Sequence, residues 1–329
     1  MVRVKGLRII REFDPWGSPL CTCPHKFTLN PYTGCGHHCL YCYARSYIPG
    51  FDRPRPKKDL LRRVRHDVTI LPKGSLISVA ESSDPYTPPE KVLGLTREVL
   101  KILVGAGHRV LVVTKSDLVV RDADILKGKA AVAITITTLD DEVAAKIEPG
   151  APPPSRRIRA VEELSRRGVP VSVRIDPIIP YINDDPAMLK RLVSEAADAG
   201  ALQVITSTYK ARWDSLARFR RALPDLGEAL VRLYKGIGER VGGYLYLPRE
   251  VRVRMIMPVW RAALEHGLAF STCREGLQIL NTPGIYCDGS TWAYLVDRGV
   301  PVTGLLKFIR GWSSPEPVHS NEEGEAQSS

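Results

Sequence analysis

Between Ser75 and Ser207, short apolar runs take turns with amphipathic ones. Ser75–Ala80, Arg109–Thr114, Ala131–Thr137, Val171–Ile175 and Leu202–Ser207 are nearly unbroken apolar or β-branched runs, as strands buried on both faces require. Phe27–Asn30 is an earlier run of the same kind. The stretches between them carry helical spacing and start signals. Thr87-Pro88-Pro89-Glu90 reads as a capping box for a helix running to about Val104, stopped by Gly105 and Gly107. Asp140 is expected to cap the next helix, Ser155 one that ends at Gly168, and Asp185 with Pro186 one that ends at Gly200. Six strands separated by helices predict a right-handed parallel sheet curled into an α/β, partial (β/α)6 TIM-type barrel.

Outside that stretch the pattern changes. Arg3–Ile10 alternates loosely and reads as a strand broken by Pro15, Gly17 and Pro19. After Tyr209, residues 214–223, 226–240 and 250–266 show helical spacing, and Leu268–Thr272 is a short strand running into Cys273. The expected organisation is an amino-terminal extension (1–26), the barrel (27–210), a mainly helical carboxy-terminal lobe that closes its open side (211–312), and an acidic tail expected to be disordered (313–329).

With 44% apolar and 25% charged residues in 329, the chain is of globular type. No run of 18 apolar residues and no hydrophobic leader follows the first methionine, so no membrane partner and a cytoplasmic location are expected. The net charge is +11, and the tail's four glutamates leave +15 on the rest. Such an excess favours a polyanion, so DNA or RNA is the candidate partner. Seven basic residues between Arg53 and Arg65, against Asp59 alone, read first as a solvated helix face and second as a phosphate-binding patch.

Three of the seven cysteines fall in Asn30-Pro-Tyr-Thr-Gly-Cys35-Gly-His37-His38-Cys39-Leu-Tyr41-Cys42-Tyr43-Ala-Arg45. In a reducing compartment so tight a group reads as metal binding. Three thiolates can hold three irons of a 4Fe-4S cluster and leave the fourth open. An open iron can chelate S-adenosylmethionine and, once reduced, cleave it to a 5′-deoxyadenosyl radical. The other metal reading is a closed zinc site with His37, His38 or a remote cysteine as fourth ligand, in a non-catalytic nucleic-acid-binding protein. Lys115, Ser82 and Ser83 end the predicted strands that face the same mouth and could bind the methionyl part. Thr135, Thr137 and Arg174 are further candidates on that logic.

The C-x3-C-x2-C spacing with its flanking aromatics resembles the radical S-adenosylmethionine superfamily, and the longer string resembles its spore-photoproduct-lyase-like branch. The resemblance implies a six-stranded incomplete barrel, a 4Fe-4S cluster on Cys35, Cys39 and Cys42, S-adenosylmethionine, a reductant of ferredoxin or flavodoxin type, and lyase-like or modifying chemistry. It implies that the main chain at Tyr41 meets the adenine, and that Tyr41 and Tyr43 match a tyrosine pair serving the lyase's radical relay. It also departs from the lyase. Glu81 stands where the lyase has a hydrogen-donating cysteine, and a carboxylate cannot give up a hydrogen atom as a thiol does. The cofactor chemistry therefore carries over and the thymine-dimer substrate does not. Cys273 is a candidate replacement donor. Cys21 and Cys23 could alternatively meet Cys273 and Cys287 in a zinc or auxiliary iron-sulfur site, or all four are plain buried or free thiols.

Overall fold

Each of the six predicted barrel strands forms, as does the short one at Leu268–Thr272. The structure, a computed structural model, describes residues 4–13, 18–79, 81–302 and 304. The strands are β1 (Arg11–Glu12), β2 (Phe27–Leu29), β3 (Leu76–Val79), β4 (Arg109–Thr114), β5 (Ala130–Thr135), β6 (Val171–Ile178), β7 (Gln203–Thr208) and β8 (Ala269–Thr272). They lie in one sheet in chain order. β1 pairs antiparallel with β2, and every later neighbour is parallel. The sheet is a curled, open barrel, and β8 extends it beyond the six predicted strands.

Strand alternation separates two cores. Val110, Val112, Val132, Ile134, Val171 and Val173 join the main core under the outer helices. Those helices are α1 (Leu60–Asp67), α2 (Leu95–Gly105), α3 (Asp141–Ile147), α4 (Pro154–Arg166) and α5 (Pro186–Asp198), followed by α6 (Trp213–Ala222), α7 (Pro224–Ile237), α8 (Arg249–Glu265) and α9 (Thr291–Asp297). The intervening Leu111, Ala131 and Ala133 turn inward and pack against Trp292 of α9. Small side chains there leave room for an indole, whose Nε1 donates to Gln203 Oε1 at 2.9 Å. Burying each such Leu or Val contributes about 1.5–3 kcal/mol. A further cluster, with Leu216, Phe219, Leu230 and Tyr234, seats α6 and α7 beside the cysteine loop at Leu40.

Local expectations fail at four places. Arg3–Ile10 is not a strand over its described residues: the N–H groups of Arg8, Ile9 and Ile10 all donate to the Asp67 carboxylate at 2.8 Å, which turns the chain away from the sheet. The capping box does not form either. Thr87 gives its hydroxyl oxygen to Gly36 N–H (2.9 Å), and Glu90 is buried against Tyr32 Oη and Thr96 N. The helix expected to reach Val104 is broken at Gly94, whose φ of 62° ends one short helix and starts α2. Ser155 lies inside α4, which begins at Pro154. Asp140 and Asp185 do cap α3 and α5. Ala80, Pro15, Gly17 and the acidic tail lie outside the described residues. Among the described residues no helix is long and apolar enough to cross a membrane.

Candidate functional site

The cysteine loop leaves β2 and crosses the carboxyl ends of the strands, over a cavity of about 500 Å³. Cys35, Cys39 and Cys42 all line it. The loop's main chain is clamped from four directions. Cys35 N–H donates to Phe51 O at 2.8 Å, beside Gly34, whose φ is +86° and where a Cβ would stand 2.5 Å from Phe51 O, so that no side chain fits. Gly36 N–H donates to the Thr87 hydroxyl. Leu40 N–H donates to Ile147 O (2.9 Å), while Gly150 N–H returns a bond to His37 O (3.0 Å). Arg218 of α6 donates to Leu40 O and Cys42 O, at 2.8 and 2.7 Å.

Below the loop, Asp84 is a hub. Its carboxylate accepts from Thr114 Oγ1 (2.7 Å), Lys115 N (2.7 Å) and Tyr86 N (2.9 Å), and lies 3.4 Å from His37 Nδ1. Burial disfavours both charges, but their pairing prevails: His37 is raised to about 10 and Asp84 lowered to about 2. Burial likewise pushes Cys35 up, yet the hydrogen bond and charge of His37 bring that thiol below its ordinary value. For Cys42 burial prevails and the pKa rises. Asn30 Oδ1 gathers the N–H groups of Glu81, Ser82 and Ser83 at 3.1–3.2 Å, fixing the turn after β3 against the start of the loop.

The other predicted residues divide. Ser82, Ser83, Lys115, Thr135, Arg174, Tyr41, Tyr43, Glu81 and Cys273 line the same cavity. Thr137 does not; its hydroxyl is turned to Glu148 at 3.1 Å. The Ser83 hydroxyl is spent on Tyr32 O (2.8 Å). The Tyr41 hydroxyl bonds Glu148 beneath the loop, with the Lys115 ammonium 5.4 Å from its ring centroid, and Tyr43 donates to Glu81 O. Glu81 itself pairs with buried Lys26 at 3.1 Å. The four remaining cysteines do not converge. Cys23 and Cys287 touch at 3.8 Å, whereas Cys273 lies beside Arg174. Glu148, Arg157, Gly150 and Arg218, which fix the loop from behind, carry no local sequence signal of that role, because their partners lie far off in the chain.

The Arg174 wall is charged throughout. Asp176 is bonded by Arg174 and Ser207, and Lys210 bridges to buried Glu275 at 2.9 Å. Burial would raise the Asp176 pKa, but Arg174 and then Lys210 hold it down at about 2. A depressed carboxylate stabilises the fold above its ordinary value near 3.8 and loses that contribution as pH falls towards 2. Asp176→Asn should therefore cost about 2 kcal/mol at pH 7. The gap to wild type in urea midpoints should shrink at pH 3; an unchanged gap would refute this origin.

Three thiols share one cavity, yet among the described residues no three His, Cys, Asp or Glu side chains are arranged to hold a single metal ion. Residues 29–193, half of the chain, match the Radical SAM superfamily. The chain belongs to that superfamily. It is a radical SAM enzyme, a class for which a 4Fe-4S cluster and S-adenosylmethionine are implied. An uncharacterized protein of Mycobacterium tuberculosis is 26% identical over 262 residues, covering 74% of this chain and 77% of the relative. An uncharacterized protein of Methanocaldococcus jannaschii is 33% identical over 165 residues, covering 48% and 62%. A spore photoproduct lyase variant with bound AdoMet and dinucleoside spore photoproduct shares the fold of this radical SAM chain: TM-score 0.63 at 16% identity, covering 82% of this chain and 80% of that one.

Proposed function

We propose that Cys35, Cys39 and Cys42 hold a 4Fe-4S cluster and that the enzyme cleaves S-adenosylmethionine reductively, the resulting 5′-deoxyadenosyl radical taking hydrogen from a substrate in the same cavity. The observation that carries this reading is the convergence of the three cysteines, on a loop clamped from four sides, with the strand-end polar groups of the same cavity. When bound, the cluster would supply the electron for the S–C5′ bond. The chain's own part is to hold and enclose. Lys115, whose ammonium makes no ion pair or hydrogen bond among the described residues, is available to a carboxylate, and Ser82 sits beside it on the wall. Tyr41 and Tyr43 are pinned by their hydroxyls and serve as rigid floor around Cys42. Thr135, Arg174, Glu81 and Cys273 line the space left for substrate. A small one-electron carrier of ferredoxin or flavodoxin type would be the reductant.

For substrate class, nucleic acid is favoured by the net charge of +11 and by the dinucleoside named in the similar lyase structure. A relative from Pseudomonas phage M6, 22% identical over 258 residues, is named a radical SAM Nalpha-GlyT isomerase. Binding to a fluorescent oligonucleotide should weaken steeply between 50 and 200 mM salt, about tenfold or more for even a few phosphate contacts. A flat response would remove DNA and RNA from consideration.

The reaction is tested anaerobically. Protein reconstituted with iron and sulfide, reduced with dithionite and given S-adenosylmethionine should yield 5′-deoxyadenosine and methionine, whereas Cys42→Ala should yield neither. Lys115→Ala should keep its iron and raise the S-adenosylmethionine KM about tenfold or more, the loss of one charge-assisted contact. A colourless protein that loads zinc instead would overturn the reading.

A further inference from the structure

Two irregular segments form one side of the cavity, and both bring thiols to it. Residues 18–26 carry no helix or strand, nor do residues 281–290 between β8 and α9. They are stitched together side by side. The Lys26 ammonium is buried between Asp288 (2.9 Å) and Glu81 (3.1 Å), and three residues before it the Cys23 sulfur lies 3.8 Å from that of Cys287. Cys21 lies against Cys23 and is only partly buried, so it is open to solvent-borne reagents. Cys21, Cys23 and Cys287 all line the cavity.

We propose that Cys23 and Cys287 are a redox-active dithiol whose disulfide joins the amino-terminal segment to the loop before α9, with Cys21 as the exposed thiol through which exchange enters. The site would take low-molecular-weight disulfides of the glutathione type. The sulfurs are already in contact, against 2.05 Å when bonded, and the ion pair between Lys26, three residues after Cys23, and Asp288, next to Cys287, holds the two segments together. The exchange balances. Attack by the Cys21 thiolate breaks the S–S bond of R–S–S–R, releasing one RSH and leaving a mixed disulfide on Cys21. Cys23 then displaces the second RSH, and Cys287 displaces Cys21 from Cys23, which returns Cys21 as a thiol and leaves the Cys23–Cys287 bond. The two cysteines lose two electrons and two protons overall, and the external disulfide gains both. This inference goes beyond the proposed reaction and does not rest on it.

The test is peptide mapping of anaerobic, iron-loaded protein incubated in glutathione buffers of increasing oxidised fraction, then quenched with maleimide and digested. The expected result is loss of the maleimide adducts on Cys23 and Cys287 and appearance of their two peptides joined, two hydrogens lighter than the sum, with dithiothreitol restoring both adducts. Cys287→Ser and, as a separate check on folding, Cys23→Ser should each abolish the joined species. Maleimide adducts on both residues at every buffer ratio would overturn the proposal, as would a bridge confined to Cys21 and Cys23. The readout is independent of S-adenosylmethionine cleavage, so its failure leaves the proposed reaction standing, and the reverse holds as well.

Discussion

Gly150→Ala should destabilise the protein by about 3 kcal/mol or more and strip it of most of its iron-binding capacity. A Cβ on Gly150 would stand 2.0 Å from Gly36 O and 3.0 Å from His37 Cα, both backbone atoms of the cysteine loop. No side chain can swing away to relieve that contact. Either the loop moves or residues 147–150 do, and both routes break the paired bonds Gly150 N–H to His37 O and Leu40 N–H to Ile147 O. Cys39 lies between those two bonded positions, so the thiols lose their common orientation. Gly105→Ala is the control. That position ends α2 with nothing within 4 Å of the new methyl, and alanine there should be neutral or stabilising by up to about 1 kcal/mol. Urea midpoints and iron per chain for the two variants decide the matter: equal midpoints for Gly150→Ala and wild type would show that the loop is not seated as described.

How far the sequence reveals this site depends on how local its determinants are. The strands were readable because burial on both faces leaves continuous apolar runs, and the caps at Asp140 and Asp185 because each carboxylate acts within three residues. The cysteine spacing was readable for the same reason. Thr87 and Glu90 misled because their side chains fit a local cap but are drawn to Gly36 and Tyr32, some fifty residues earlier. β8 was seen as a strand, yet its place beside β7 was not, since a parallel neighbour sixty residues away leaves no mark on periodicity. The convergence of Asp84 on His37 and Lys115, and of Glu148 on Tyr41, is likewise a property of the assembled sheet rather than of any segment. Thr137 shows the converse error: strand-end position suggested the cavity, but two residues past β5 the chain has turned its hydroxyl to Glu148.

Glu148 is where that hidden layer can be tested most severely. It is 1% exposed and faces Arg157, also 1% exposed, at 2.5 Å, while accepting from Tyr41 and Thr137 as well. Arg157 spends its remaining bonds on Pro152 O (2.7 Å) and Thr135 O (3.1 Å), tying the end of β5 to the loop's support. Burial opposes ionisation of Glu148, but Arg157 and then Lys115 keep its pKa below the ordinary value, so it is charged at neutral pH. Removing one partner strands the other charge in the interior. Glu148→Ala and Arg157→Ala should each cost about 3–5 kcal/mol. A well-packed apolar pair changes the sign of the argument, because it removes both desolvation penalties at once. Glu148→Met with Arg157→Leu should therefore be more stable than either single alanine variant. It should nevertheless load iron poorly, because Tyr41, one residue before Cys42, has lost the acceptor that fixes its ring. Stability recovered together with full iron loading would mean that the buried pair supports the fold alone. Stability recovered with loading still impaired would assign Glu148 to positioning the cysteine loop.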